Sequence, residues 1–211
     1  MRTILFLFIL LFTHLASSSQ DLDYPDYRSK KDNFVKVREK DIRNELAAFT
    51  NAGLDESMNK TPLKSIPITG FGTNYISFSG NGIKVTIRTA PFDPAKHKLN
   101  YYEEHLLKID GKPDYGHYGE LPKVVISAVT ITVNNDTVPV PAAAFADIYD
   151  PGFSYTDGAG AQRSQNRIYL SPDNKTFYIY ILDRNNRGTE VTWIIRDKTY
   201  LRRIVDFGFL K

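Results

Sequence analysis

The sequence predicts a mainly β protein, an antiparallel β-sandwich or partly open barrel of about seven to nine strands with one N-terminal amphipathic helix. Three observations lead there. Short segments that alternate apolar and polar residues recur along the chain, separated by clusters of Gly, Asn, Asp and Pro. A single stretch, residues 34–49, has the apolar stripe of a helix. Helical and strand patterns do not alternate as a parallel βαβ sheet requires, and no internal repeat survives a check of register.

The elements follow in order. Met1 and Arg2 precede an apolar run over residues 4–12, which ends in the small residues Ala16, Ser17, Ser18 and Ser19. One basic residue, a short apolar core and small residues at the exit are what the export machinery reads. The core is too short to span a bilayer, which takes about 20 residues. Residues 1–19 are therefore expected to be a signal peptide, cleaved between Ala16 and Gln20. Residues 20–33 are polar and broken by Tyr24, Pro25 and Tyr27, which suits an extended N-terminal arm. A single β-rich domain is expected over 34–211. It begins with the helix, where Val35, Ile42, Leu46 and Phe49 share one stripe and Asp32 can cap the start. The opposite face mixes Lys36, Arg38, Lys40 and Arg43 with Glu39 and Glu45, so packing on a sheet is favoured over membrane binding.

A loop with Pro62 and Pro67 leads to the clearest hairpin, 75–79 and 83–89, around Gly80, Asn81 and Gly82. These turn residues tolerate the positive φ of a tight connection. Ile83, Val85 and Ile87 share one face; Lys84, Thr86 and Arg88 share the other. Residues 99–109 fit either the strand or the helix period, and Asp110-Gly111-Lys112-Pro113 ends them as a turn. Residues 114–122 read as a loop and 123–133 as a strand, turned at Asn134, Asn135 and Asp136 into 137–140. Prolines around that last segment mark it as an edge strand, because proline cannot donate to a central ladder. A short helix or turn over 142–150 and a long loop from Asp157-Gly158-Ala159-Gly160 to Asn166 come next. Four strands close the chain as an antiparallel meander: 167–170, 177–182, 190–196 and 200–207. Val191, Trp193 and Ile195 share an inward face there, and Ile194 on the other face implies a sheet covered on both sides, with the 34–49 helix as the candidate cover.

Without the leader about 190 residues remain, enough for one domain to bury roughly 70% of its unfolded surface. The absence of cysteine excludes disulfide scaffolds, thiolate zinc sites, cysteine nucleophiles and a lipid-modified cysteine after the leader. Export without disulfides points to a bacterial periplasmic or extracellular protein. The sequons at Asn59, Asn135 and Asn174 acquire meaning only for a eukaryotic source. A formal charge of +3, Arg2 included, is too small to imply nucleic acid or an anionic membrane as partner.

Chemistry-bearing residues form three groups. His97, His105 and His117, with Glu103, Glu104, Asp110 and Asp114 nearby, offer the nitrogen and oxygen ligands zinc takes, but no pair sits at a metal-binding step. Asp147, Asp150 and Asp157 could supply an oxygen cage for calcium, although EF-hand spacing is missing and Asp150-Pro151-Gly152 reads first as a turn. Tyr101, Tyr102, Tyr115 and Tyr118 crowd beside His105, His117, Asp114 and Glu120, giving flat apolar faces with polar tips that can stack on a sugar or grip a peptide. The alternative for these rings is that half point into the core. Glycoside hydrolysis would need two facing acids from among Glu103, Glu104, Glu120, Asp183 and Glu190, whose separation the sequence does not fix. A Gly-x-Ser-x-Gly elbow and phosphate-binding loops are absent.

The resulting expectation is an exported binding domain without catalysis or cofactor, acting through its loop end on a glycan, a peptide or another envelope component. The rivals are a small secreted hydrolase or metal-dependent enzyme, and an assembly module that pairs through the edge near residues 138–141.

Overall fold

The computed structural model describes residues 64–113, 119–171, 173–182 and 189–207; the expected signal peptide, arm and helix lie outside the described residues. The described chain enters at β1 (Lys64–Ile66), passes Pro67 into β2 (Ile68–Phe71) and forms the hairpin β3 (Tyr75–Gly80) and β4 (Ile83–Pro91). After a 3₁₀ turn at Pro94–Lys96 comes a small meander of β5 (Leu99–Tyr102), β6 (His105–Ile109) and β7 (Lys112–Pro113). The long β8 (Val124–Val133) turns into β9 (Asp136–Val138), followed by a 3₁₀ turn at Ala142–Ala144. A short hairpin, β10 (Tyr155–Thr156) and β11 (Gln162–Arg163), precedes β12 (Arg167–Leu170), β13 (Thr176–Leu182), β14 (Thr189–Arg196) and β15 (Thr199–Phe207).

All strand pairings among the described residues are antiparallel, as expected. They build one five-stranded sheet in the order β1-β12-β13-β14-β15 and another in the order β2-β3-β4-β8-β9. A three-stranded sheet, β5-β6-β7, and the pair β10-β11 complete the set, and no sheet closes on itself. The described residues thus hold fifteen strands where about seven to nine were expected. The surplus consists of pieces of two to five residues, too short or too irregular for alternation to register. The expected loop after Asp157 is one such case, since Tyr155 pairs with Arg163 and Thr156 with Gln162. No helix among the described residues is long and apolar enough to cross a membrane.

One cluster of buried side chains draws on both five-stranded sheets, with Ile76, Phe78, Val85, Ile87 and Ile131 from one and Ile168, Ile179, Trp193, Ile195 and Val205 from the other. Alternation explains the membership: Ile83, Val85 and Ile87 are buried while Lys84 and Arg88 between them are exposed. The chain changes sheets at Pro67, between β1 and β2, where a residue without an N–H costs no ladder bond. Every residue of β13 is buried. Phe177, Ile179 and Ile181 belong to the shared core, whereas Tyr178 points away from it, on the same side as its partner Ile194. The burial of Tyr178, Ile194 and Ile204 agrees with a sheet covered on both faces.

Tight turns at Asn81-Gly82 and Asn134-Asn135 use the residues the pattern marks, and Asp197-Lys198 forms another. Asn81 and Gly82 have φ of 50° and 75°, Asn134 and Asn135 of 54° and 69°, and Asp197 and Lys198 of 49° and 60°. Gly82 is the most constrained, because a Cβ there would lie 2.1 Å from Asn134 Oδ1. Left-handed backbone costs an L-residue about 1–2 kcal/mol, so Gly82→Ala is expected to lower the unfolding free energy by at least that amount in urea melts.

Candidate functional site

Tyr101, Tyr102 and His105, the described part of the tyrosine-rich region predicted as a contact surface, are built on the small sheet. Beneath it Phe92, Leu106, Ile109 and Tyr149 form a separate buried cluster, with Leu99 and Val125 packed against them. Asn100 faces Lys108 but Tyr101 faces Leu106, so Leu107 is an extra residue in β6. This bulge turns both Leu106 and Ile109 inward although they are three apart. Tyr102 faces His105 across the hairpin, which puts these two on the opposite surface. Tyr101 and Tyr102 are 51% and 66% exposed. As consecutive strand residues they point to different sides of the hairpin.

Gly119 pairs with the same hairpin, exchanging N–H···O bonds of 3.2 and 3.3 Å with Leu106. Its φ of 89° and the proximity of His105, whose Nδ1 would stand 2.9 Å from an added Cβ, demand glycine. Pro113 is pinned opposite Lys108 and Gly119 opposite Leu106. Asp114, Tyr115, His117 and Tyr118, which complete the predicted surface, lie outside the described residues. Glu120 is exposed just beyond.

Among the described residues, His97 and His105 do not converge. His97 Nδ1 lies 2.7 Å from Asp110 Oδ2, and Asp110 Oδ1 accepts the Lys98 N–H at 2.8 Å. The His97 ring stacks on Phe92 with centroids 4.7 Å apart. The His97 contact, then the Lys98 N–H, hold the Asp110 carboxyl below its usual range. His105 opens β6 and Asp110 follows its last residue, so the two imidazoles sit at opposite ends of the hairpin. His117 lies outside the described residues.

Each carboxylate proposed for calcium has its own partners. Asp150 accepts the backbone N–H of Lys123 at 3.1 and 3.2 Å and of Val124 at 3.0 Å, fixing the start of β8. Asp157 closes its own hairpin by accepting from Ala159 and Ala161 N–H at 3.0 and 2.9 Å and from Arg163 Nε at 3.0 Å. Asp147 is buried against Arg203, with Arg203 Nη2 2.8 Å from Asp147 Oδ2, and Lys112 Nζ approaches at 3.2 Å. Among the described residues, no three His, Asp or Glu side chains gather as a metal-binding group. Of the acids considered for hydrolysis, Glu103, Glu104 and Glu120 are exposed, Glu190 is buried and accepts the Tyr180 hydroxyl, and Asp183 lies outside the described residues.

A cleft that the residue types did not reveal lies where hairpin turns of the two five-stranded sheets meet. It encloses about 320 Å³. Its apolar lining comes from Ile83, Val133, Leu170 and Phe177, and its polar lining from Asn81, Asn134, Asn174, Lys175, Asp197 and Lys198. The signal that could have located it is topological. Connections β3–β4, β8–β9, β12–β13 and β14–β15 carry these polar residues, and the antiparallel meanders return them to one end. Asn134 N–H donates to Gly82 O at 2.7 Å, and Lys198 Nζ reaches Asp136 Oδ2 at 2.7 Å from the other sheet. Comparison with known proteins adds no identity: no family model, curated protein or solved structure matches the chain.

Proposed function

We propose that this chain is an exported, non-catalytic recognition domain, a two-sheet sandwich with the 34–49 helix packed on the outer face of β13–β15, that engages an envelope protein or peptide through the β5–β6 hairpin. The observation that supports this reading most is the joint exposure of Tyr101 and Tyr102 at the end of a hairpin that has its own buried cluster. Tyrosine offers a large contact area at little conformational cost, and the cluster beneath restricts the hairpin before binding. The two rings face opposite sides, a wedge rather than a platform. A wedge suits a groove in a peptide-bearing partner better than it suits stacking on a single sugar face.

A photo-crosslinking residue in place of Tyr102, expressed in the exporting cell, tests the proposal. One discrete protein adduct is expected, and none from the same residue placed at the exposed Gly158. Tyr101→Ser with Tyr102→Ser should lower the affinity for the captured protein at least tenfold with the melting temperature unchanged. Absence of an adduct, or equal adducts from both positions, refutes it.

A further inference from the structure

We infer that the cleft at the turn end is a second binding site, one for a saccharide residue that carries a carboxylate, of the hexuronic acid class. Its volume of about 320 Å³ is at the small end of ligand cavities, which run to about 1,000 Å³, and suits one or two sugar rings. A pyranose presents hydroxyls, each donor and acceptor, around apolar C–H faces. The amides of Asn81, Asn134 and Asn174 also pair a donor with an acceptor, and the Phe177 side of the cleft is apolar. Asn81 Oδ1 is already taken by Lys64 Nζ at 2.7 Å, which leaves its Nδ2 to donate.

The charge comes from lysine. Lys198 is tied to Asp136, whereas the Lys175 ammonium has no hydrogen bond or ion pair among the described residues and lies in the field of Asp173, with Asp197 as the acid of the lining. Its backbone is fixed, since Lys175 O accepts the Asp197 N–H at 3.0 Å. Left-handed turn geometry accounts for the asparagines, but Lys175 is exposed and adopts no such conformation. An ammonium on a rigid rim beside amides and an apolar wall fits a carboxylate attached to a ring of hydroxyls.

The full exported chain is titrated calorimetrically with digalacturonate, its dimethyl ester and acetate. Saturable binding of digalacturonate is expected, at least tenfold weaker for the ester and absent for acetate at the same concentration. Lys175→Glu should weaken digalacturonate binding more than tenfold with an unchanged melting temperature, and Lys175→Arg should stay within about threefold. No binding of digalacturonate, equal binding of the ester, competition by acetate, or indifference to Lys175→Glu overturns the proposal. Tyr101→Ser with Tyr102→Ser should leave this titration unchanged, so failure here and failure of the hairpin reading are distinguishable.

Discussion

Trp193→Ala is expected to cost about 3–5 kcal/mol of unfolding free energy. Trp193 is fully buried in the cluster that draws on both five-stranded sheets. Its strand partners are Ile179 on one side and Arg203 on the other, so truncation opens a cavity within the sheet's core face. Its Nε1 also donates to Ala144 O at 2.9 Å, which ties the segment after β9 to β14. Trp193→Phe retains much of the volume and loses that bond, so it should cost less, about 1–3 kcal/mol. Urea melts followed by far-UV circular dichroism measure both, since each variant removes the chain's sole tryptophan fluorophore. A loss below about 1.5 kcal/mol for the alanine variant would mean that the two sheets do not depend on a common core.

How much of this fold the residues disclose depends on whether a strand is regular and flanked by turn chemistry. β12 occupies the expected 167–170, and the 83–89 segment buries the expected face. Residues 99–109 were ambiguous for a physical reason. The extra Leu107 breaks the two-residue period, so the inward pair Leu106 and Ile109 stands at a helix-like spacing of three. β10 and β11, at two residues each, have no period to read.

The candidate sites were legible as residue types and illegible as geometry. Tyr101 and Tyr102 look like one patch in sequence, yet strand geometry sends neighbours to opposite sides. Asp147, Asp150 and Asp157 look like one cage, yet local donors claim two of them: the N–H groups of Lys123 and Val124 for Asp150, and the Asp157 hairpin's own amides. The turn-end cleft escaped because the sequence accounts for Asn81 and Asn134 as turn residues and for Asn174 as part of a sequon. Only strand order shows that those turns share an end.

Arg203→Met is expected to destabilise the protein by about 3–5 kcal/mol at neutral pH and to invert its response to acid. Arg203 and Asp147 are both buried, and Arg203 Nη1 also donates to Ala144 O at 3.3 Å. Lys112 of β7 meets the same carboxylate, so the pair links β15, the small sheet and the segment after β9. Burial alone would raise the Asp147 pKa, but the Arg203 hydrogen bonds and charge, with Lys112, outweigh it and hold the carboxyl below its usual value. A folded-state pKa depressed in this way contributes stability above the unfolded value, about 3.9, that is lost as pH falls through the folded one. The wild type should therefore weaken below about pH 4. Without the guanidinium, burial, the largest influence on the Asp147 carboxyl, is opposed by Lys112 alone, and the Asp147 pKa is expected to rise above its unfolded value. Folding then takes up a proton, and the variant should gain stability as pH falls from 7 toward 4, a slope opposite to that expected from the remaining carboxylates. Pairing Arg203→Met with Asp147→Leu removes the stranded charge and should recover most of the loss. Urea melts at pH 7, 5.5 and 4 separate these outcomes, and an Arg203→Met curve parallel to the wild type would show that Asp147 is not held in a low-dielectric setting.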